Sequence, residues 1–181
     1  PYPRPRRPAT VQEAKALAHP LRIRILRLCA QHELTNKQLA DRLGGTPGTV
    51  LYHVRLLVES GLLRPAPVRT GDSGALEKPY RATNESWWID NPWGEAEPDI
   101  RMAPIDAFQE ELREAGPDSV QTFARFMLHL SPDEVAELDR RILAVLDEYI
   151  ETDHERLDRV DVVVLVAAGL RVAEVVDAVE R

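Results

Sequence analysis

The sequence predicts a mainly α-helical fold in which one two-stranded hairpin interrupts the helices. Apolar residues recur at helical spacings of three and four before residue 61 and again after residue 104. Between these regions, Pro65, Pro67 and Pro79 surround a turn-rich stretch, TGDSGAL, which is typical of a hairpin with edge strands. The mainly α prediction follows from these two patterns.

Charge is divided unevenly along the chain. Residues 1–83 carry 14 Lys and Arg against six Asp and Glu, a net charge of +8. Residues 84–181 carry nine against 24, a net charge of −15, so the whole chain is at −7. A basic half joined to an acidic half predicts a polyanionic partner for the basic half only.

The chain opens with a basic arm, residues 1–9, that contains PYPRPRRP. Four prolines in eight residues oppose both helix and sheet, so we predict an extended segment. Its arginines either reach a DNA minor groove or phosphates, or make no contact at all.

Two helices follow the arm. The first runs from Thr10 to Ala18, and the second restarts at Pro20, a residue suited to a first helical turn. The apolar stripe of the second helix consists of Leu21, Ile25, Leu28 and Cys29. Free cysteines on such stripes are usually buried, so Cys29 is predicted to be a core thiol.

The next two helices have clear start and stop signals. Thr35 is placed to cap the third helix, with Gln38 in the capping-box position and Gly44 as the stop. Thr46 caps the fourth helix, which has Pro47 in its first turn and ends at Gly61.

The order of these elements predicts a helix-turn-helix followed by a wing. Helix 36–43, the turn Gly44–Gly45 and helix 47–60 form the two-helix unit, and the hairpin follows. In such a unit the N-terminal residues of the second helix enter the major groove, and the first helix meets the DNA backbone. Arg55 could bind guanine or phosphate, and His53 could face DNA or solvent. The candidate DNA-contacting residues are Lys37, Arg42, Thr46, Gly48, Thr49, Tyr52, His53, Arg55, Arg69, Lys78 and Arg81.

In the acidic half of the chain we predict a linker, residues 91–103, and a mainly helical region, residues 104–181. Trp87, Trp88 and Trp93 either staple the two halves together, which we favour, or line an effector pocket. Ser131 and Glu134 form a capping box that opens a long amphipathic helix. We predict a strand at Val162–Val166 and a helix after it. The expected apolar stripes are Ile105, Phe108 and Leu112; Val120, Phe123, Met127 and Leu130; and Val135, Leu138, Ile142, Val145 and Tyr149.

Residues 10–86 resemble a known family. The segments ALAHPLRIRILRLC, LTNKQLADRLGGTPGTVLYHVRLLVESGLL and EKPYRAT are similar to the winged helix-turn-helix of ArsR-type bacterial repressors, in particular to actinobacterial-style members with a long C-terminal extension. The resemblance implies a DNA-binding domain at residues 10–90 and a homodimeric transcriptional regulator whose wing contacts flanking DNA. Metal-sensing members carry two cysteines in an E-L-C-x-C pattern, but Thr35 and Lys37 stand there in this chain, so no thiolate metal site is expected.

Enzymatic, cofactor-binding and membrane functions find no support in the sequence. It contains no nucleophile elbow, phosphate-binding glycine loop or metalloprotease helix, so we expect no catalytic residues, cofactor or metal. No apolar run approaches a membrane span and no secretion signal is visible, so a cytoplasmic protein is expected. One group of acidic residues and histidines resembles a loose metal cluster, but its spacing fits no tight ligand motif, so we favour a charged helix end. Its members are Asp153, His154, Glu155 and Asp158, and His129 could join them.

Two functional hypotheses remain. The first is a sequence-specific regulator of transcription, a repressor for preference, that binds double-stranded DNA as a homodimer on an inverted repeat. Its dimer contacts would come from residues 10–18 and 104–150, and a small-molecule effector is left open. The alternative is a winged-helix protein-interaction module whose acidic half binds a protein partner.

Overall fold

The structure is a computed structural model that describes residues 4–71, 74–90, 92, 98–120 and 128–156. Short 3₁₀ turns occur at Glu85–Trp88, Pro117–Ser119 and Asp153–Glu155. The helices are α1 (Val11–Leu17), α2 (Pro20–Gln31), α3 (Asn36–Leu43), α4 (Pro47–Glu59), α5 (Pro98–Ala115) and α6 (Pro132–Glu151). The strands are β1 (Arg7–Pro8), β2 (Leu34–Thr35), β3 (Leu63–Pro65), β4 (Arg69–Thr70), β5 (Leu76–Glu77), β6 (Pro79–Ala82) and β7 (Ile89–Asp90). The mainly α fold with a hairpin wing is confirmed.

The wing is a hairpin that joins a third strand. β3 pairs antiparallel with β6, and Arg64 lies opposite Arg81. Farther out, β4 pairs with β5 in a separate two-stranded sheet. β2 adds to the other edge of β6, with Leu34 opposite Tyr80. The wing is therefore anchored to the residues that immediately precede α3.

The described chain divides into two compact units, Pro1–Gln121 and Thr122–Arg181. The first unit holds one apolar core, to which α1 to α4 and the wing contribute. Ile25, Leu39, Val50, Val54 and Leu57 have no exposed surface. Each of these residues lies on a helical stripe, so core burial drives the four helices together.

The predicted helix starts are confirmed. The side chains of Thr10, Thr35 and Ser131 each accept a hydrogen bond from the third residue of their helix, and a Glu or Gln there completes the capping box. Gly44 ends α3 in the left-handed conformation, at a φ of 63°, which glycine adopts without strain.

The N-terminal arm departs from the prediction that it forms no sheet. β1 pairs in parallel with β7, so Arg7 lies opposite Ile89. The guanidinium of Arg7 also binds the buried carboxylate of Glu13, with a closest distance of 2.6 Å. This ion pair, together with hydrogen bonds from Thr10, lowers the pKa of Glu13 to about 2.

The other arginines of the arm lie against aromatic rings. The guanidinium of Arg4 is 5.1 Å from the Trp88 ring and also binds Glu85. That of Arg6 is 5.0 Å from the Trp87 ring. Residues 4–8 are therefore held against the first unit by the protein's own side chains, since each of the three arginines has a partner within it.

α5 belongs to the first unit and packs on α2. It begins at Pro98, inside the stretch predicted as a linker. Its most buried residues are Ala103 and Ala107. Of the predicted stripe, Ile105 and Phe108 are only half-buried and Leu112 is 36% exposed, so the stripe is not the most buried face of α5. Small side chains let the two helices approach closely, and two ion pairs flank the contact, Arg24 with Glu114 and Arg27 with Glu111.

The second unit is described mainly through α6. Val135, Leu138 and Ile142 of its predicted stripe are half-buried, whereas Val145 and Tyr149 are exposed. Several predictions lie outside the described residues: the roles of Trp93, Phe123 and Met127, and the strand and helix expected after residue 161.

Candidate nucleic-acid interface

The two sides of α4 differ completely in burial. Val50, Val54 and Leu57 are fully buried in the core. Thr49, Tyr52 and Arg55 point the other way and are exposed, as are all residues from Gly44 to Thr49. A helix whose N-terminal turns are polar and uncovered has the form required of a major-groove reader.

The first turn of α4 is closed by its own side chains. Thr46 Oγ1 accepts a hydrogen bond from the Thr49 N–H at 3.3 Å, and the two hydroxyl oxygens are 3.0 Å apart. Both threonine hydroxyls are thus already oriented by a local contact. A partner would meet them in fixed positions.

At Gly48 the first turn of α4 has no side chain to cover its backbone. An added methyl group here would meet no atom of the described chain within 4 Å, so the fold itself does not require glycine. The missing side chain gives an external surface room to approach the backbone.

The first turn of α3 links α4 to the wing. The side-chain amide of Asn36 donates to the Pro47 carbonyl at 2.9 Å. Two residues on, Gln38 Oε1 lies 3.4 Å from a guanidinium nitrogen of Arg69, on β4. The first turn of α3 therefore contacts both the start of α4 and the wing.

The predicted basic residues fall into two groups. Arg69 binds Glu77, Arg81 lies 3.6 Å from Glu33, and Lys37 binds Asp41. Within the part of the chain that the structure describes, no ion pair is formed by the exposed cations Arg42, Arg55 and Lys78. These three side chains are available to an anionic partner without loss of an internal contact.

His53 does not share the exposed face. Both of its predicted orientations, towards DNA or towards solvent, are wrong, because the residue is only 7% exposed. Its ring centroid lies 4.7 Å from that of His19, and its Nδ1 is 3.3 Å from Nη1 of Arg22. His53 is therefore not a candidate DNA contact. Its ring packs against His19 and Arg22 on the side of α4 away from the exposed face.

Arg22 holds this cluster in place. Its Nε–H donates to the Ala16 carbonyl at 2.6 Å and its Nη2–H to the Lys15 carbonyl at 2.7 Å, so it caps the end of α1. Since a guanidinium only donates, Nδ1 of His53 must be unprotonated to accept from it. Burial lowers the pKa of His53, and the neighbouring His19 and Arg22 lower it further. The pKa of His19 is also lowered, by burial and then by Arg22.

Stability of the first unit is expected to fall as the pH drops below about 6.5, the ordinary pKa of histidine. In the unfolded chain His53 takes up a proton at this pH, whereas the fold with its lowered pKa resists protonation. Urea unfolding between pH 8 and pH 5 should therefore show a weaker pH dependence for His53→Gln. His154→Gln removes an exposed imidazole of the second unit and is the control. An unchanged pH dependence in His53→Gln would contradict the account.

Sequence reasoning missed Arg22, Asn36 and Gln38 as residues that position the interface. One signal for Arg22 was available: no acidic residue stands three or four positions from it in α2, which points to a partner elsewhere in the chain. Asn36 and Gln38 carry no such signal, since helix starts are commonly rich in residues of this kind.

The remaining candidates have structural roles or fall outside the described residues. Cys29 is fully buried, and burial raises the pKa of its thiol to about 12. Among the residues described, no group of three potential ligands could hold a metal ion, and Asp158 is not among them. No helix in the described ranges is long and apolar enough to cross a membrane.

Two comparisons with known proteins found a similarity to this chain. Residues 17–66 match the model of a helix-turn-helix domain family, which covers α2 to β3. A solved structure of a mutant of Lactococcus lactis ZitR is similar at a TM-score of 0.33 and 14% identity, over 80% of each chain. No curated protein matches the sequence.

Proposed function

We propose that this protein is a sequence-specific DNA-binding transcriptional regulator, without enzymatic activity, that acts as a homodimer. The observation that carries the proposal is the exposed N-terminal half of α4, flanked by the wing. Thr49, Tyr52 and Arg55 are exposed there, on a helix whose opposite face is fully buried. The helix-turn-helix family match spans this helix.

Electrostatics favour DNA over a neutral surface. Arg42, Arg55 and Lys78, which form no ion pair among the residues that the structure describes, belong to the half of the chain that carries a charge of +8. Neutralising phosphates with such cations releases bound counterions, so affinity falls steeply with salt. The acidic second half would be repelled by DNA and would lie away from it.

The proposed contacts follow from the exposure of each residue. Thr46, Gly48, Thr49, Tyr52 and Arg55 would enter the major groove, and their fixed start at the Thr46–Thr49 contact would set the register. The residues that would meet the DNA backbone from α3 and the wing are Lys37, Arg42, Arg69, Lys78 and Arg81.

The resemblance to ArsR-type repressors supports the finer parts of the proposal. A repressor that binds as a homodimer would place two copies of α4 in successive major grooves, about 10 base pairs apart, on an inverted repeat. The dimer contacts would involve residues 10–18 and 104–150, with the DNA-binding domain at residues 10–90. Val11, on α1, is 72% exposed, which suits such a contact.

The competing function is a protein-interaction module, in which the acidic half binds a protein and DNA binding is incidental. Exposed apolar residues of α6, Val145 and Tyr149, are the observation that favours it. In that case the exposed cations Arg42, Arg55 and Lys78 would have no role.

The test is binding of the full chain to fluorescently labelled DNA from its own promoter region, measured by anisotropy at low and rising salt. We expect saturable binding, protection of an inverted repeat in a footprint, and affinity that weakens steeply with salt. Absence of binding at low salt would overturn the proposal. Retention of partner binding by a Thr49→Ala/Arg55→Ala variant would then support the interaction module.

A further inference from the structure

A groove of about 340 Å³ lies between α1 and α4, behind the exposed face of α4. We call it the α1/α4 groove. Its volume lies within the range of sites for small organic ligands, about 300–1,000 Å³. The lining residues that matter for its chemistry are Lys15, Arg22, Tyr52, Leu56, Glu59 and Ser60.

The most unusual of these is Arg22, a buried cation to which the described residues supply no counter-ion. It is 8% exposed, the same as Arg24, which forms an ion pair with Glu114. Within the described residues, the hydrogen-bond partners of Arg22 are two backbone carbonyls and neutral His53. A buried charge that lacks an opposite charge is costly, and an anion that reached it would relieve that cost.

Hydrogen-bonding capacity and charge also favour an anion. A guanidinium has five N–H donors, and three of those of Arg22 are directed to protein acceptors. The groove is lined by two cations, Lys15 and Arg22, and one carboxylate, Glu59. A ligand with a single negative charge would bring the lining to neutrality.

The walls of the groove favour an apolar, flat body for this ligand. The Tyr52 ring stands on one side and is 61% exposed, and Leu56 continues the same wall one turn later. Ala16 and Ala18 form the opposite wall and project little into the space. An aromatic ring could stack on Tyr52 while a polar group reached Arg22.

We propose that the α1/α4 groove binds a small aromatic monocarboxylate. Its carboxylate lies on Arg22 and Lys15, and its ring packs against Tyr52 and Leu56. Because Tyr52 also belongs to the proposed DNA-contacting face, a bound ligand changes the position of a side chain that DNA requires. This coupling rests on the proposed function, whereas the binding site itself does not.

The test uses benzoate as the probe, titrated into the full chain without DNA and followed by amide NMR shifts and calorimetry. We expect saturable binding, with shifts centred on residues 12–22 and 52–60. Benzyl alcohol has the same ring and no charge, and should bind at least roughly tenfold more weakly, because it lacks the charge-assisted hydrogen bonds. Equal binding of both probes, or shifts centred elsewhere, would overturn the site.

Three variants separate the groove from general effects on folding. Arg22→Gln removes the buried charge but also weakens the cap of α1, so two variants of accessible groove residues accompany it. Lys15→Met removes the outer cation, and Leu56→Trp fills the space; each should weaken benzoate binding several-fold. Arg113→Gln, on the exposed side of α5, is the matched control and should bind benzoate normally. Undiminished binding in both Lys15→Met and Leu56→Trp contradicts the proposal.

Coupling to DNA is measured separately. We expect saturating benzoate to weaken binding to promoter DNA in the parent protein and not in Leu56→Trp. If benzoate binds but DNA does not, the proposed function fails and the site stands. If DNA binds but benzoate does not, the site fails and the proposed function stands.

Discussion

Arg55→Ala is expected to weaken binding to the operator by about 1–3 kcal/mol, roughly five- to 150-fold, the value of a good arginine contact with a base. Arg55 is exposed on the same face of α4 as Thr49 and Tyr52, and no ion pair holds it within the described chain. The substitution is therefore expected to remove the proposed DNA contact and to leave the fold intact. Fluorescence anisotropy with the footprinted operator measures the change.

The same variant distinguishes base reading from phosphate binding. If Arg55 contacts guanine, its loss lowers affinity for the operator and hardly changes affinity for unrelated DNA. If it contacts phosphate, both affinities fall together, and the slope of log affinity against log salt decreases by about one. Arg113→Ala, on α5, removes an exposed arginine outside the interface and should change neither. Unaltered operator affinity in Arg55→Ala would contradict the placement of α4 in the major groove.

Leu57→Ala is expected to lower the free energy of unfolding of the first unit by about 2–5 kcal/mol, because it creates a cavity in a close-packed core. Leu57 has no exposed surface and lies on the buried stripe of α4, between Val54 and the start of the wing. Urea unfolding followed by tryptophan fluorescence measures the effect, since Trp87 and Trp88 lie in the same unit.

The control for Leu57→Ala is the same substitution at an exposed leucine. Leu76 lies on β5 of the wing and is 75% exposed, so Leu76→Ala should change stability by no more than about 0.5 kcal/mol. A loss of similar size in both variants would show that the core is not where the structure places it.

Signals that act over a few residues allowed the helix-turn-helix to be predicted from the sequence. Thr35, Thr46 and Gly44 act on backbone groups within a few residues, so their roles as caps and stop depend only on neighbours in the chain. The buried face of α4 also follows from spacing alone, because apolar residues three and four positions apart must share one side of a helix. These signals predicted α1 to α4 and the wing.

Residues with two possible environments could not be assigned in this way. His53 is polar and follows the exposed Tyr52 in the sequence. In the structure its ring nevertheless lies against His19 and Arg22, which come from the start of α2. The face that α5 buries was also mispredicted. Spacing alone favours the large residues Ile105 and Phe108, whereas close packing on α2 selects Ala103 and Ala107.

By itself the sequence determined the fold class, the order of the elements and which side of α4 is buried, because caps, turns and apolar periodicity act over a few residues. Only the tertiary structure decided what Arg7, Arg22 and His53 contact. These side chains are long or polar, and their partners lie in other elements, so their environment depends on how those elements pack. That packing holds the N-terminal arm on the protein and opens the α1/α4 groove beneath Tyr52.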